Sequence, residues 1–141
     1  MANSNDIVAN GVAIHGTNPQ NLVEKITRLK VYNSPFWKEQ CFGLTAETLV
    51  DKAVALKYYG GSYAGNNQPT NFLCLLLKLL QLQPENEIIL EFLRNEDFKY
   101  LRLLGLCVFN FLRLNSNPLI FLNCHVPYNY IGAFYLVYSI F

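Results

Sequence analysis

Charge is scarce in this sequence, and it thins out along the chain. Charged residues make up 15% of the 141 positions, all ten acidic residues stand at or before Asp97, and past Arg102 only Arg113 carries a fixed charge. The formal net charge is +1, so the basic stripe that usually marks nonspecific nucleic-acid binding is missing, and direct RNA binding is not expected. Histidine is scarcer still. His15 and His125 have no metal-ligand spacing to each other or to a cysteine, and no H-E-x-x-H occurs, so no metal site is expected. Cys41, Cys74, Cys107 and Cys124 never form a C-x-x-C pair and follow no secretory apolar region, which reads as reduced intracellular thiols.

Catalytic patterns are also missing. Gly60 and Gly65 have the spacing of a phosphate-binding G-x-x-x-x-G loop, but Asn66-Asn67 stands where Lys-Ser/Thr is needed and a helix is predicted before it. A structural turn is the expectation. Glu47 with Asp51, and Glu87 with Glu91, lie one helical turn apart, the usual mark of a solvated face. With no nucleophile elbow either, neither an enzyme nor a cofactor is expected.

What is abundant is apolar surface, at 52% of residues, enough for one domain with a sizeable core. The run from Phe72 to Gln83 is apolar on nearly every side at helical spacing, which predicts a central helix enclosed by others. Pro69-Thr70 marks its start and Gln83-Pro84 its end. Lys78, the single charge inside, is expected to snorkel to water.

Around this helix the chain supplies further helices. Asn18-Pro19 predicts a capped start to a first helix reaching about Tyr32, with Leu22, Val23, Ile26 and Leu29 at helical spacing. Asn33-Ser34-Pro35 stops it, and a short turn then carries Phe36, Trp37, Cys41 and Phe42 over one end of the core. Thr45 caps a helix with Leu49, Val50, Ala53 and Leu56 inward, closed at Gly60-Gly61. A helix after Pro84 turns Ile88, Ile89, Phe92 and Leu93 inward, and Asn95-Glu96-Asp97 caps the next. The result is an all-α, compact multi-helix domain around a buried central helix, with no sizeable sheet.

Three segments follow from the composition: a flexible N-terminus at 1–13, a helical domain at 14–105 and an apolar, aromatic-rich tail at 106–141. The uncharged stretch Pro118 to Phe141 raises the alternative of a tail-anchored membrane protein, although Asn123, His125, Pro127 and Asn129 interrupt it.

In order, His15-Gly16-Thr17-Asn18-Pro19, Trp37-Lys38-Glu39, Cys41-Phe42-Gly43-Leu44-Thr45-Ala46-Glu47, Asp51-Lys52-Ala53, Gly60-Gly61, Tyr63, Gly65-Asn66, Pro69-Thr70, Phe72-Leu73-Cys74-Leu75, Gln83-Pro84 and Asn95-Glu96-Asp97-Phe98-Lys99-Tyr100 resemble the N-terminal domain of the pre-mRNA-splicing factor 38 family. The resemblance covers about Ile14 to Gly105. It implies a non-catalytic nuclear scaffold that joins the spliceosome with the tri-snRNP and serves its activation. Implied partners are a microfibrillar-associated-protein-like factor and a zinc-finger splicing protein. The residues expected to meet partners are Trp37, Tyr59, Tyr63, Asn66, Tyr100 and Arg102, because adjacent aromatics such as Tyr58-Tyr59 cannot all turn inward. In the family the helical domain continues past the position of Gly105. Here the pattern is lost from Leu106, as though the domain were incomplete and U-rich intronic sequence had been read as codons.

Overall fold

The computed structural model describes residues 19–60, 62, 63, 65, 66 and 68–112. The predicted cap at Asn18, His15 and the segment 113–141 lie outside them. The architecture is all-α: α1 (Lys25–Asn33), α2 (Ala46–Val54), α3 (Asn71–Leu82), α4 (Asn86–Arg94) and α5 (Lys99–Leu112), with a 3₁₀ turn at Pro19–Leu22 and a π-helical turn at Trp37–Cys41. Strands β1 (Ser62–Tyr63) and β2 (Gln68–Pro69) form a minimal antiparallel hairpin, with Ser62 opposite Pro69 and Tyr63 opposite Gln68.

α3 is the centre of the molecule. Every side chain from Phe72 to Gln81 is buried, because α1, α2, α5 and both irregular turns pack around it. Enclosed leucines of this kind each stabilise the fold by roughly 2 kcal/mol relative to exposure. Thr70 fixes the helix start: its hydroxyl accepts the Leu73 N–H at 3.2 Å and donates to the Gly60 carbonyl, which ties the helix to the loop after α2. Gly60 sits at φ +145°, a conformation L side chains rarely adopt. At the other end Gln83 turns left-handed at φ 49°, ψ 61°, its N–H reaching the Leu79 carbonyl at 3.0 Å, and Pro84 then prevents continuation.

The first predicted helix is broken in two. Its start is the 3₁₀ turn, where the Val23 N–H reaches the Gln20 carbonyl at 3.3 Å, and the α-helix restarts only at Lys25. The break rotates the buried face: Val23 and Val31 are inside, whereas Ile26 and Leu29 are 62% and 50% exposed. Tyr32 closes the break by donating its hydroxyl to the Gln20 side-chain oxygen.

α2 begins at Thr45 with a reciprocal capping box, Thr48 N–H to the Thr45 hydroxyl at 3.4 Å and Thr45 N–H to the Thr48 hydroxyl at 2.9 Å. It ends at Val54, short of the glycines, leaving Leu56 to Gly60 irregular. Asn95 accepts the N–H groups of Asp97 and Phe98 at 3.0 and 2.9 Å, turning the chain into α5. The change of composition at Leu106 does not end that helix. Leu106, Cys107 and Val108 are all buried, and α5 packs on α4, α3 and α2. Gly105 permits the α4 contact, since a Cβ there would stand 2.9 Å from the Phe92 Cβ.

Candidate partner-binding surface

A helix turned inward on all sides leaves function to the surface groups. The six predicted contact residues divide. Trp37 is buried, only 8% exposed, with its ring 5.2 Å from that of Tyr32, so it is part of the core edge more than of a free face. Tyr59 is exposed and meets Phe72 edge-on at 6.4 Å. Tyr63 lies on β1, and Asn66 is exposed in the hairpin turn. Tyr100 donates its hydroxyl to the Lys57 carbonyl at 2.7 Å, and the Lys99 ammonium lies 5.0 Å from its ring. Arg102 is half-buried, with one guanidinium nitrogen 3.4 Å from the Glu96 carbonyl.

The Tyr100 to Lys57 bond joins the start of α5 to the irregular segment that carries Tyr58 and Tyr59. Tyr100 is thereby brought to the segment that carries Tyr59, whereas Arg102 contacts the Glu96 carbonyl. Trp37 belongs elsewhere, at the π-helical turn against α3.

Sequence reasoning missed the most exposed large apolar group among the described residues. Phe42, 86% exposed, follows the π-helical turn directly and precedes Gly43 at φ +71°. Gly43 permits the left-handed turn that follows, but nothing local in the sequence separates Phe42 from a core aromatic. Ile26 and Leu29, expected at helical spacing on the first helix, are exposed because that helix is broken at Val23; Val54 and Phe98 are exposed as well.

Lys78 corrects a second expectation. It does not reach water: it is 4% exposed, its ammonium donates to the Gln81 side-chain oxygen at 3.1 Å, and it lies 5.6 Å from the Trp37 ring centroid. Burial lowers its pKa, with Cys41 acting the other way. Nearby, the Ser34 hydroxyl donates to the Val31 carbonyl at 2.7 Å, receives the Trp37 N–H at 3.3 Å and lies 3.6 Å from the Cys74 sulfur.

The three described thiols, Cys41, Cys74 and Cys107, are buried. Burial pushes Cys41 and Cys107 up to about 12 and Cys74 up to about 11, so each stays protonated near neutral pH. Among the described residues no group of His, Cys, Asp and Glu could hold a metal ion, and no helix is long and apolar enough to cross a membrane. The alternative membrane segment, Pro118 to Phe141, lies outside the described residues.

Fold and surface together define a class: a small all-α domain closed around one buried helix, with aromatic groups left on its outside. The sequence profile of the PRP38 family matches residues 12–134, and the chain belongs to that family. It is 63% identical over 105 residues to pre-mRNA-splicing factor 38 of Arabidopsis thaliana, covering 74% of this chain and 29% of the relative. With pre-mRNA-splicing factor 38A of Homo sapiens it shares 62% identity over 102 residues, 72% of this chain and 33% of the relative. The chain thus spans about a third of the length of these relatives. A chain in the crystal structure of the Snu23–Prp38–MFAP1 complex of Chaetomium thermophilum matches with a TM-score of 0.68 and 40% identity, covering 72% of this chain and 54% of that one.

Proposed function

We propose that this chain is a non-catalytic protein–protein scaffold of the spliceosome, acting in the nucleus as a tri-snRNP-associated factor in spliceosome activation. The observation that carries the reading is the 63% identity to a pre-mRNA-splicing factor across the helical core described above. The neighbouring structure supports the kind of partner: a fold at 40% identity in a complex with Snu23 and MFAP1. By this reading an MFAP1-like factor and a Snu23-like zinc-finger protein dock on this chain, and surface aromatics such as Tyr59 and Tyr100 supply anchor groups. The test is co-purification of the 141-residue chain with the Snu23-like and MFAP1-like proteins, followed by its addition to nuclear extract depleted of the family member. Capture of both partners and recovery of spliceosome activation support the reading; capture of neither sinks it.

A further inference from the structure

α1 carries charge of one sign. From Lys25 to Asn33 it holds Lys25, Arg28 and Lys30 and no acidic residue, Glu24 standing just before it at the N-cap. Residues four apart share a side of a helix, so Lys25, Leu29 and Asn33 fall in one row and Ile26 and Lys30 in the next. The two rows lie opposite Val31, the side chain that α1 turns into the core. Exposure follows them: Lys25, Ile26, Leu29 and Asn33 are exposed and Lys30 is half-buried at the edge, whereas Arg28 donates back to the Val23 carbonyl at 3.0 Å. The outward face is therefore two aliphatic side chains set between two lysines. Among the described residues neither lysine is paired with a carboxylate.

We propose that this outward face of α1 docks an acidic amphipathic helix of a partner protein, whose apolar side chains meet Ile26 and Leu29 and whose carboxylates meet Lys25 and Lys30. Charge complementarity selects the occupant: a helix face with two cations and no acid attracts carboxylates and repels basic segments. Aliphatic groups at i and i+3 match the spacing at which a partner helix presents its own anchors. A single-stranded RNA would meet the two lysines but no exposed ring to stack on, and bases bind chiefly through aromatic faces. A membrane surface needs a broader apolar face than one Ile–Leu pair. That the occupant is a protein helix rests on the scaffold reading; the face itself rests on the spacing and exposure of the α1 side chains.

The test uses the full chain, isotopically labelled and titrated with a hydrocarbon-stapled helical peptide that carries Leu on one side flanked by Glu, and with its counterpart carrying Gln for every Glu. The acidic peptide should move the amide signals of Lys25 to Asn33, and the Gln peptide should bind about tenfold more weakly. Lys25→Gln combined with Lys30→Gln should weaken the acidic peptide about tenfold, and Ile26→Ala combined with Leu29→Ala by about as much or more. Both variants should leave the melting midpoint nearly unchanged, because these side chains face outward. Equal binding of the two peptides, binding of neither, or unaltered affinity in either variant overturns the proposal. So does preferential occupation of the same signals by a short oligouridylate or by phosphatidylserine vesicles. Co-purification with splicing proteins reports separately. Partners retained while the acidic peptide fails to bind remove this face and leave the scaffold reading standing, whereas an acidic peptide bound by a chain that captures no splicing protein keeps the face and removes the spliceosomal reading.

Discussion

At the scale of single residues, Lys78 shows how far context changes a side chain's meaning. On an isolated helix its stem would carry the ammonium to water, and Lys78→Ala would be mild. Buried as it is, truncation instead opens a cavity and should cost roughly 2 kcal/mol in denaturant unfolding. Lys78→Met fills the same space without charge and should stay within about 1 kcal/mol of the parent. The pH dependence has a definite sign. A lysine whose pKa is lower folded than unfolded binds fewer protons in the native state, so between the folded pKa and 10.5 its own contribution to stability rises with pH, while the three buried thiols, raised from 9.0, contribute a fall above that value. Below that window the burial penalty is fully present, and above it the penalty is gone. Lys78→Met should remove this rise; a stability profile across alkaline pH that keeps the same slope in the variant would show that another group is responsible. Leu76→Asp, on the same helix but without any partner for its charge, should abolish helical circular dichroism at neutral pH.

At the scale of elements, the helix most legible in sequence is the one with least ambiguity about sides. α3 matched its predicted start at Thr70 and its stop before Pro84, because an all-apolar run has no face to misassign and its ends carry stereochemical signals. α1 was less legible. Nothing in Leu22 to Leu29 announces that the chain will leave the helix at Val23, a choice made by the burial of Val23 and the Tyr32 to Gln20 bond across the break. The α4–α5 pair adds a feature that composition disguised. Gly105 marks where the charge runs out, yet its role is to let two helices touch. Gly105→Ala should therefore destabilise by about 1–3 kcal/mol through overpacking against Phe92, outweighing the gain of about 1 kcal/mol in helix propensity. Urea unfolding decides it, and a net stabilisation would mean that α4 shifts freely to admit the methyl group. Thr70→Val should cost about 1–2 kcal/mol by the same measurement, since it removes both the α3 cap and the tie to Gly60.

At the scale of the whole molecule, the candidate surface was only partly readable because exposure is a property of the assembled fold. The exposure of Tyr59 was anticipated, while the bond from Tyr100 to the Lys57 carbonyl joins residues far apart in the chain and leaves no local trace. Assembly also decides how the protein should unfold. α5 is laid across α4, α3 and α2, and α3 is in turn gripped by α1 and the π-helical turn, so no described helix has a core of its own. Such an arrangement predicts one cooperative transition. The chain's one tryptophan makes this measurable: Trp37 sits at the π-helical turn, away from α4 and α5, while far-ultraviolet circular dichroism reports on every helix. Denaturation followed by Trp37 fluorescence and by circular dichroism should give coincident midpoints. Leu104→Ala, in α5 and fully buried, should lower both together by an amount equivalent to roughly 2–5 kcal/mol. A fluorescence transition left in place while the circular dichroism transition moves would show that the turn and α1 fold independently of α5, and would divide what is here one core into two.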